Sequence, residues 1–133
     1  MEKADKFNLI VLQILIGLGS GLIGALLLSS FEITGWNDIY GTIIFALIGG
    51  YLFMFAGVGA TGYFFLKKIK ALRIFSQLQF QSLIGLIVGI GGLFFIAITA
   101  GNLKLPNFII NSIAILFPLI GTIVGFNFRL SRT

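Results

Sequence analysis

The sequence predicts an all-α membrane protein: four transmembrane helices forming one glycine-packed bundle, with both termini in the cytoplasm. Three observations predict it. Of 133 residues, 58% are hydrophobic and 10% charged, and the mean hydropathy is +1.10; soluble domains hold about 45–50% apolar and about 25% charged residues. The charges gather at the ends of four long uncharged runs. Eleven of the 18 glycines recur on single helical faces. A chain so poor in charge cannot coat a water-soluble core, and at this length it is one integral membrane domain, 1–133.

The first helix is expected over residues 7–28, an uncharged run of 22 residues, where about 20 span the hydrocarbon core. The run is longer than the 7–15 apolar residues of a signal peptide and no Ala-x-Ala site follows it, so it reads as a retained helix. A polar turn region comes next, holding Glu32, Thr34, Trp36, Asn37 and Asp38, with Trp36 and Tyr40 suited to the membrane–water interface. The second helix is expected over 40–66, the longest uncharged run.

Residues 67–77 form a basic cytoplasmic loop holding Lys67, Lys68, Lys70 and Arg73. Ile69, Leu72 and Phe75 are spaced by three, which suits a helical turn lying on the membrane surface; a solvated loop between helix ends fits the same residues. The third helix is expected over 78–100. An outer loop with Lys104 and Pro106 leads to Asn107, placed as a helix cap before the fourth helix at 108–128.

Orientation follows from the cations. Lys3, Lys6, Lys67, Lys68, Lys70, Arg73, Arg129 and Arg132 fall on one side and Lys104 on the other, eight against one. Basic residues flanking membrane helices stay in the cytoplasm, so the termini and the 67–77 loop are assigned there. Such a bias also opposes dual insertion. The plasma (inner) membrane is the expected location, and a thylakoid or other organelle membrane stays open. The cations lie beside apolar runs, so anionic lipid headgroups, rather than nucleic acid, are their expected partners. Lys67, Lys68, Lys70 and Arg73 are the candidate lipid or partner contacts.

The glycines are phased. Gly17, Gly21 and Gly24 share a face of the first helix; Gly49, Gly50 and Gly57 line the second, with Ala46 and Ala60. Gly85, Gly89 and Gly92 line the third, and Gly121 and Gly125 the fourth, with Ala114. Three pairs are GxxxG: Gly17/Gly21, Gly85/Gly89 and Gly121/Gly125. Lipid offers helices no hydrophobic reason to associate, so close backbone approach at small residues is the driving contact. These glycines are assigned to helix packing, within the chain, with other membrane-protein helices or in a homo-oligomer.

Residue types exclude much chemistry. There is no Cys and no His, which removes thiols, the commonest metal ligand and the usual general base. All four carboxylates, Glu2, Asp5, Glu32 and Asp38, lie outside the apolar runs. No cofactor or metal is expected, and no catalytic residue is assigned. Two G-x-G-x-x-G matches, starting at Gly19 and Gly57, lie inside helices rather than between a strand and a helix, so neither reads as a nucleotide site.

The polar groups within the spans are mostly suited to interhelical hydrogen bonds. Asn111 and Ser112 precede Pro118, which removes the amide that would have bonded the Ala114 carbonyl. A bend there, with Tyr51, Asn111, Ser112 and Thr122, supplies the candidate lining of a pore or cavity; a tolerated kink fits equally.

The halves resemble each other. QILIGLGSGLIG at 13–24 matches QSLIGLIVGIGG at 81–92, and FALIG at 45–49 matches FPLIG at 117–121. Both halves start from the cytoplasm, so this would be a parallel two-helix repeat; chance coincidence of Leu, Ile and Gly is the alternative.

The first half also resembles the small four-helix fluoride channels. GSGLIGA at 19–25 is similar to their opening glycine motif, and Trp36 with GTIIFALIGGY at 41–51 is similar to the start of their second helix. The resemblance implies a small oligomeric channel. The departures fall on the ion chemistry: Leu28 stands near the place of their arginine, Ala46 at that of the pore asparagine, and the break in their third helix has no counterpart at 91–96. The expected function is therefore a non-enzymatic accessory, scaffolding or assembly subunit of a membrane complex; the alternative is a small ion channel or transporter.

Overall fold

The computed structural model describes residues 3–30, 39–99 and 107–130, with side chains described for 3–30, 44–99 and 109–128. Expectations for Glu2, Glu32, Trp36, Asp38, Tyr40, Lys104, Pro106, the Asn107 cap, Arg129 and Arg132 lie outside these side chains. The described chain is helical: α1 (Lys3–Ser29), α2 (Ile39–Lys68), a 3₁₀ turn (Leu72–Ile74), α3 (Phe75–Thr99) and α4 (Asn107–Leu130). Four helices are long and apolar enough to cross a membrane.

The chain divides into two compact units, Met1–Ile69 and Lys70–Thr133. Each is one antiparallel helix pair. In the first, Ser20, Gly21 and Gly24 of α1 face Gly57, Gly50 and Gly49 of α2, so rising numbers meet falling ones. In the second, Gly85 and Gly89 of α3 face Gly121 and Phe117 of α4.

The helices overrun the apolar runs at their charged ends. α1 begins at Lys3 rather than Phe7, with Asp5 in its first turn. α2 continues to Lys68 rather than Leu66, with Lys67 and Lys68 in its last turn. The cations of α2 are set against the negative end of its helix dipole, so that helix continues where the apolar run stops; in α1 Asp5 suits the dipole while Lys3 and Lys6 beside it do not. α3 starts at Phe75, three residues before Leu78, and the Phe75 ring sits 6.4 Å from that of Phe126. α4 extends two residues past Phe128, to Leu130. At its other end α1 closes on serines. Ser29 Oγ donates to the Leu26 carbonyl at 3.0 Å, and Ser30 Oγ to that of Leu27 at 2.6 Å, which also accepts from Ser30 N–H at 3.3 Å, so the last carbonyls of the helix are met locally.

The expected loop at 67–77 is therefore mostly helix ends. Ile69 N–H still donates to the Phe65 carbonyl at 3.1 Å; the chain then turns at Lys70, whose φ is 57°. That left-handed residue stops α2, a position that glycine usually fills. Ile74 N–H closes the 3₁₀ turn on the Ala71 carbonyl. Of the residues spaced by three, Leu72 lies in the 3₁₀ turn and Phe75 begins α3, while the left-handed Lys70 separates Ile69 from both. A β-carbon in this conformation costs about 1–2 kcal/mol. Lys70→Gly is accordingly expected to raise stability by about 1 kcal/mol, read as a higher midpoint in reversible detergent unfolding.

Candidate functional site

The helix pairs meet through main chain. Glycine leaves helix backbone bare, and the facing helix can then approach until carbonyls touch Cα atoms. A β-carbon at Gly89 would lie 2.8 Å from the Phe117 carbonyl oxygen and 2.9 Å from Pro118 Cα. At Gly85 it would run into the Gly121 carbonyl, at Gly121 into that of Gly85, and at Gly125 into that of Gln81. In the first unit Gly24 and Gly49 block each other in the same way, and Gly57 abuts Ser20 Oγ. Gly21 and Gly50 are looser: a β-carbon at either would lie 3.2 and 3.4 Å, respectively, from the other's carbonyl oxygen. A β-carbon at Gly92 would make ordinary contact with the Phe117 ring at 3.5 Å, and Gly17 is buried. Gly19 and Gly91 differ from all of these, since a β-carbon at either would meet nothing within 4 Å.

The two pairs do not use the repeat in the same register. The sequence match equates Gly17 with Gly85 and Gly49 with Gly121. In the second unit Gly85 faces Gly121; in the first, Gly49 faces Gly24, seven residues beyond Gly17. Seven residues are about two turns, so the same face is presented but the pair has slid along its axis. Leu28 and Phe53 close around Gly24 and Gly49, whereas Gly125 stands where the repeat places Phe53.

Five hydroxyls of the apolar helices are tied to main chain. Ser20 Oγ donates to the Ile16 carbonyl at 2.6 Å, Thr61 Oγ1 to Gly57 at 2.8 Å and Thr99 Oγ1 to Phe95 at 2.9 Å. Between α3 and α4, buried Ser82 Oγ donates to the Thr122 carbonyl at 3.0 Å, and Thr122 Oγ1 donates to that of Pro118 at 2.6 Å. Thr122 and Pro118, assigned from sequence to a pore or cavity lining, are thus brought together inside a helix contact, both buried. Ser112 is half-buried and Asn111 exposed on α4; Tyr51 is half-buried on α2. Ala114 engages in an interaction of its own. The Ser82–Thr122 bond was not singled out by sequence, although both residues stood among the polar groups of the spans; only helix pairing assigns the acceptor. Ser82→Ala is expected to weaken the α3–α4 pair by about 0.6–1.7 kcal/mol, the range of interhelical hydrogen bonds in a membrane protein, measured by equilibrium unfolding in mixed micelles.

Lys67, Lys68, Lys70 and Arg73 are all exposed. The first two end α2, Lys70 makes the turn and Arg73 sits in the 3₁₀ turn. Among the described residues, no group of three or more His, Cys, Asp or Glu side chains could hold a metal ion.

No protein-family model matches the chain, and no curated protein or solved structure matches it. The resemblance of the first half to fluoride channels therefore rests on the quoted residues alone.

Proposed function

We propose that the protein is a non-enzymatic accessory or assembly subunit whose helices pack against those of a larger membrane complex. The observation that carries this reading is Gly91. It stands in open space on α3 between Val88, 66% exposed, and Phe94 and Phe95, 67% and 68% exposed. Exposed Leu, Ile and Phe suit lipid, but an open glycine gives lipid nothing that a larger residue would not. It admits a helix backbone. Gly19 offers the same on α1. The hydroxyls bonded to main chain also support a structural role, since a nucleophile needs an adjacent base to activate it.

In this reading both termini and the 67–73 cations face the cytoplasm, where the cations meet anionic headgroups or a partner's acidic surface. The glycine contacts within each helix pair hold the subunit together, and Gly19 and Gly91 are kept for partners.

A second reading, a small oligomeric channel or carrier, draws on Asn111. Its side chain is exposed on the apolar span of α4, and an amide in lipid needs a polar neighbour. Extraction in mild detergent, with mass and protein content read together, separates the two. The subunit reading expects stoichiometric co-purification with other membrane proteins, reduced at least about fivefold by Gly91→Leu, the factor that ~1 kcal/mol makes. A homo-oligomer that retains its mass in Gly91→Leu and conducts in liposomes, with flux lost in Asn111→Leu, would overturn it in favour of the channel.

A further inference from the structure

An open groove runs along the first helix pair between α1 and α2. Its wall on α1 is the stripe Asp5, Asn8, Leu12 and Ile16; on α2 it includes Phe64 and Lys68. Because the helices are antiparallel, the start of α1 and the end of α2 lie at the same end of the groove. One mouth thus carries a carboxylate, a carboxamide and an ammonium, while the rest is apolar apart from Thr61, whose hydroxyl is bonded to the Gly57 carbonyl. Among the described residues neither Asp5 nor Lys68 makes an ion pair or hydrogen bond, so the two opposite charges line one groove without neutralising each other.

The dimensions fit one membrane leaflet. Asp5 to Ile16 is eleven residue steps, about 16 Å of helix at ~1.5 Å each. Half of a hydrocarbon core is about 15 Å. With the charged mouth at the headgroups, the apolar part reaches the depth of one acyl chain.

We propose that this groove is a binding site for a glycerophospholipid with a primary-ammonium headgroup, of the phosphatidylethanolamine type. Lys68 Nζ holds the phosphate and the Asp5 carboxylate takes the ammonium N–H groups, with the Asn8 amide beside them. One acyl chain lies along Leu12, Ile16 and Phe64. The charge pattern selects the headgroup. A phosphatidylglycerol satisfies Lys68 but places no cation at Asp5. A phosphatidylcholine brings a cation with no N–H to donate. The site takes Lys68 alone from the exposed 67–73 surface, whose other cations favour anionic lipid in general, and it does not depend on the complex proposed above.

Native mass spectrometry of the full chain in detergent, with equal additions of phosphatidylethanolamine, phosphatidylglycerol and phosphatidylcholine, tests it. Wild type is expected to retain phosphatidylethanolamine at least about fivefold over either competitor, the factor that ~1 kcal/mol makes. Asp5→Asn should abolish that preference while phosphate-headed lipids still bind, and Lys68→Gln should weaken all three; Lys67→Gln, on the exposed surface, should change neither. A phosphatidylethanolamine carrying a photoreactive acyl chain gives a readout independent of the variants, with adducts expected on peptides 9–16 and 61–68. Equal retention of the three lipids, a preference for phosphatidylglycerol, a preference that survives Asp5→Asn, or adducts mapping elsewhere would overturn the assignment.

Discussion

Replacing Gly85 with alanine is expected to pull α3 away from α4 at a cost of about 1–3 kcal/mol, the usual penalty of overpacking a tight contact, and leucine at the same position to cost more. The reason is what the new atom meets. A β-carbon at Gly85 falls on the Gly121 carbonyl and lies 3.2 Å from Gly125 Cα. Those are backbone atoms in a helix, and no rotamer change can move them aside. The helices must separate, and the Ser82–Thr122 hydrogen bond across the same contact is strained with them. Lipid supplies no hydrophobic force to pull them back. Gly91→Ala is the control: its β-carbon meets nothing within 4 Å, and the change should stay within about 0.5 kcal/mol or raise stability through helix propensity. Reversible unfolding of the purified variants in mixed micelles reads both. Equal midpoints for Gly85→Ala and Gly91→Ala would show that the close approach contributes nothing.

Orientation should give an all-or-none result. The chain has no cysteine, so single cysteines can be placed without background labelling. Lys70→Cys is expected to react with an impermeant maleimide only from the cytoplasmic face, and Gly35→Cys and Asn102→Cys only from the other. Eight cations against one set this bias. Changing Lys67, Lys68, Lys70 and Arg73 together to Gln leaves four against one, which should weaken the bias without inverting it. Adding two lysines to the 31–38 segment of that variant is expected to give both orientations, seen as partial labelling at every site. Labelling of wild-type Lys70→Cys from both faces would remove the basis for the orientation.

Particular residues show what could be read from the chain. The four spans were legible because uncharged runs of this length have no other stable use, and their ends moved by only a few residues. The end of α2 moved because helix continues where charge suits the dipole: Lys67 and Lys68 close it. The halt at Lys70 was not legible, since a lysine carries no sign that its φ is 57°. The polar candidates were readable as residue types but not by role. Thr122 serves its own helix through its hydroxyl and α3 through its carbonyl, and only the second helix distinguishes that from a pore lining.

The sequence by itself determined that the protein is helical, how many helices it has, which stretches are apolar enough for a bilayer, and which helix faces carry glycine. These are properties of composition and period, and each is fixed within a single helix. The tertiary structure alone decided which glycine meets which: Gly85 with Gly121, but Gly24 rather than Gly17 with Gly49. A shift of seven residues keeps the same face forward, so helical period cannot choose between the registers. The choice falls to the shapes that meet, with Phe53 and Leu28 closing around one contact and bare Gly125 backbone lying against the other.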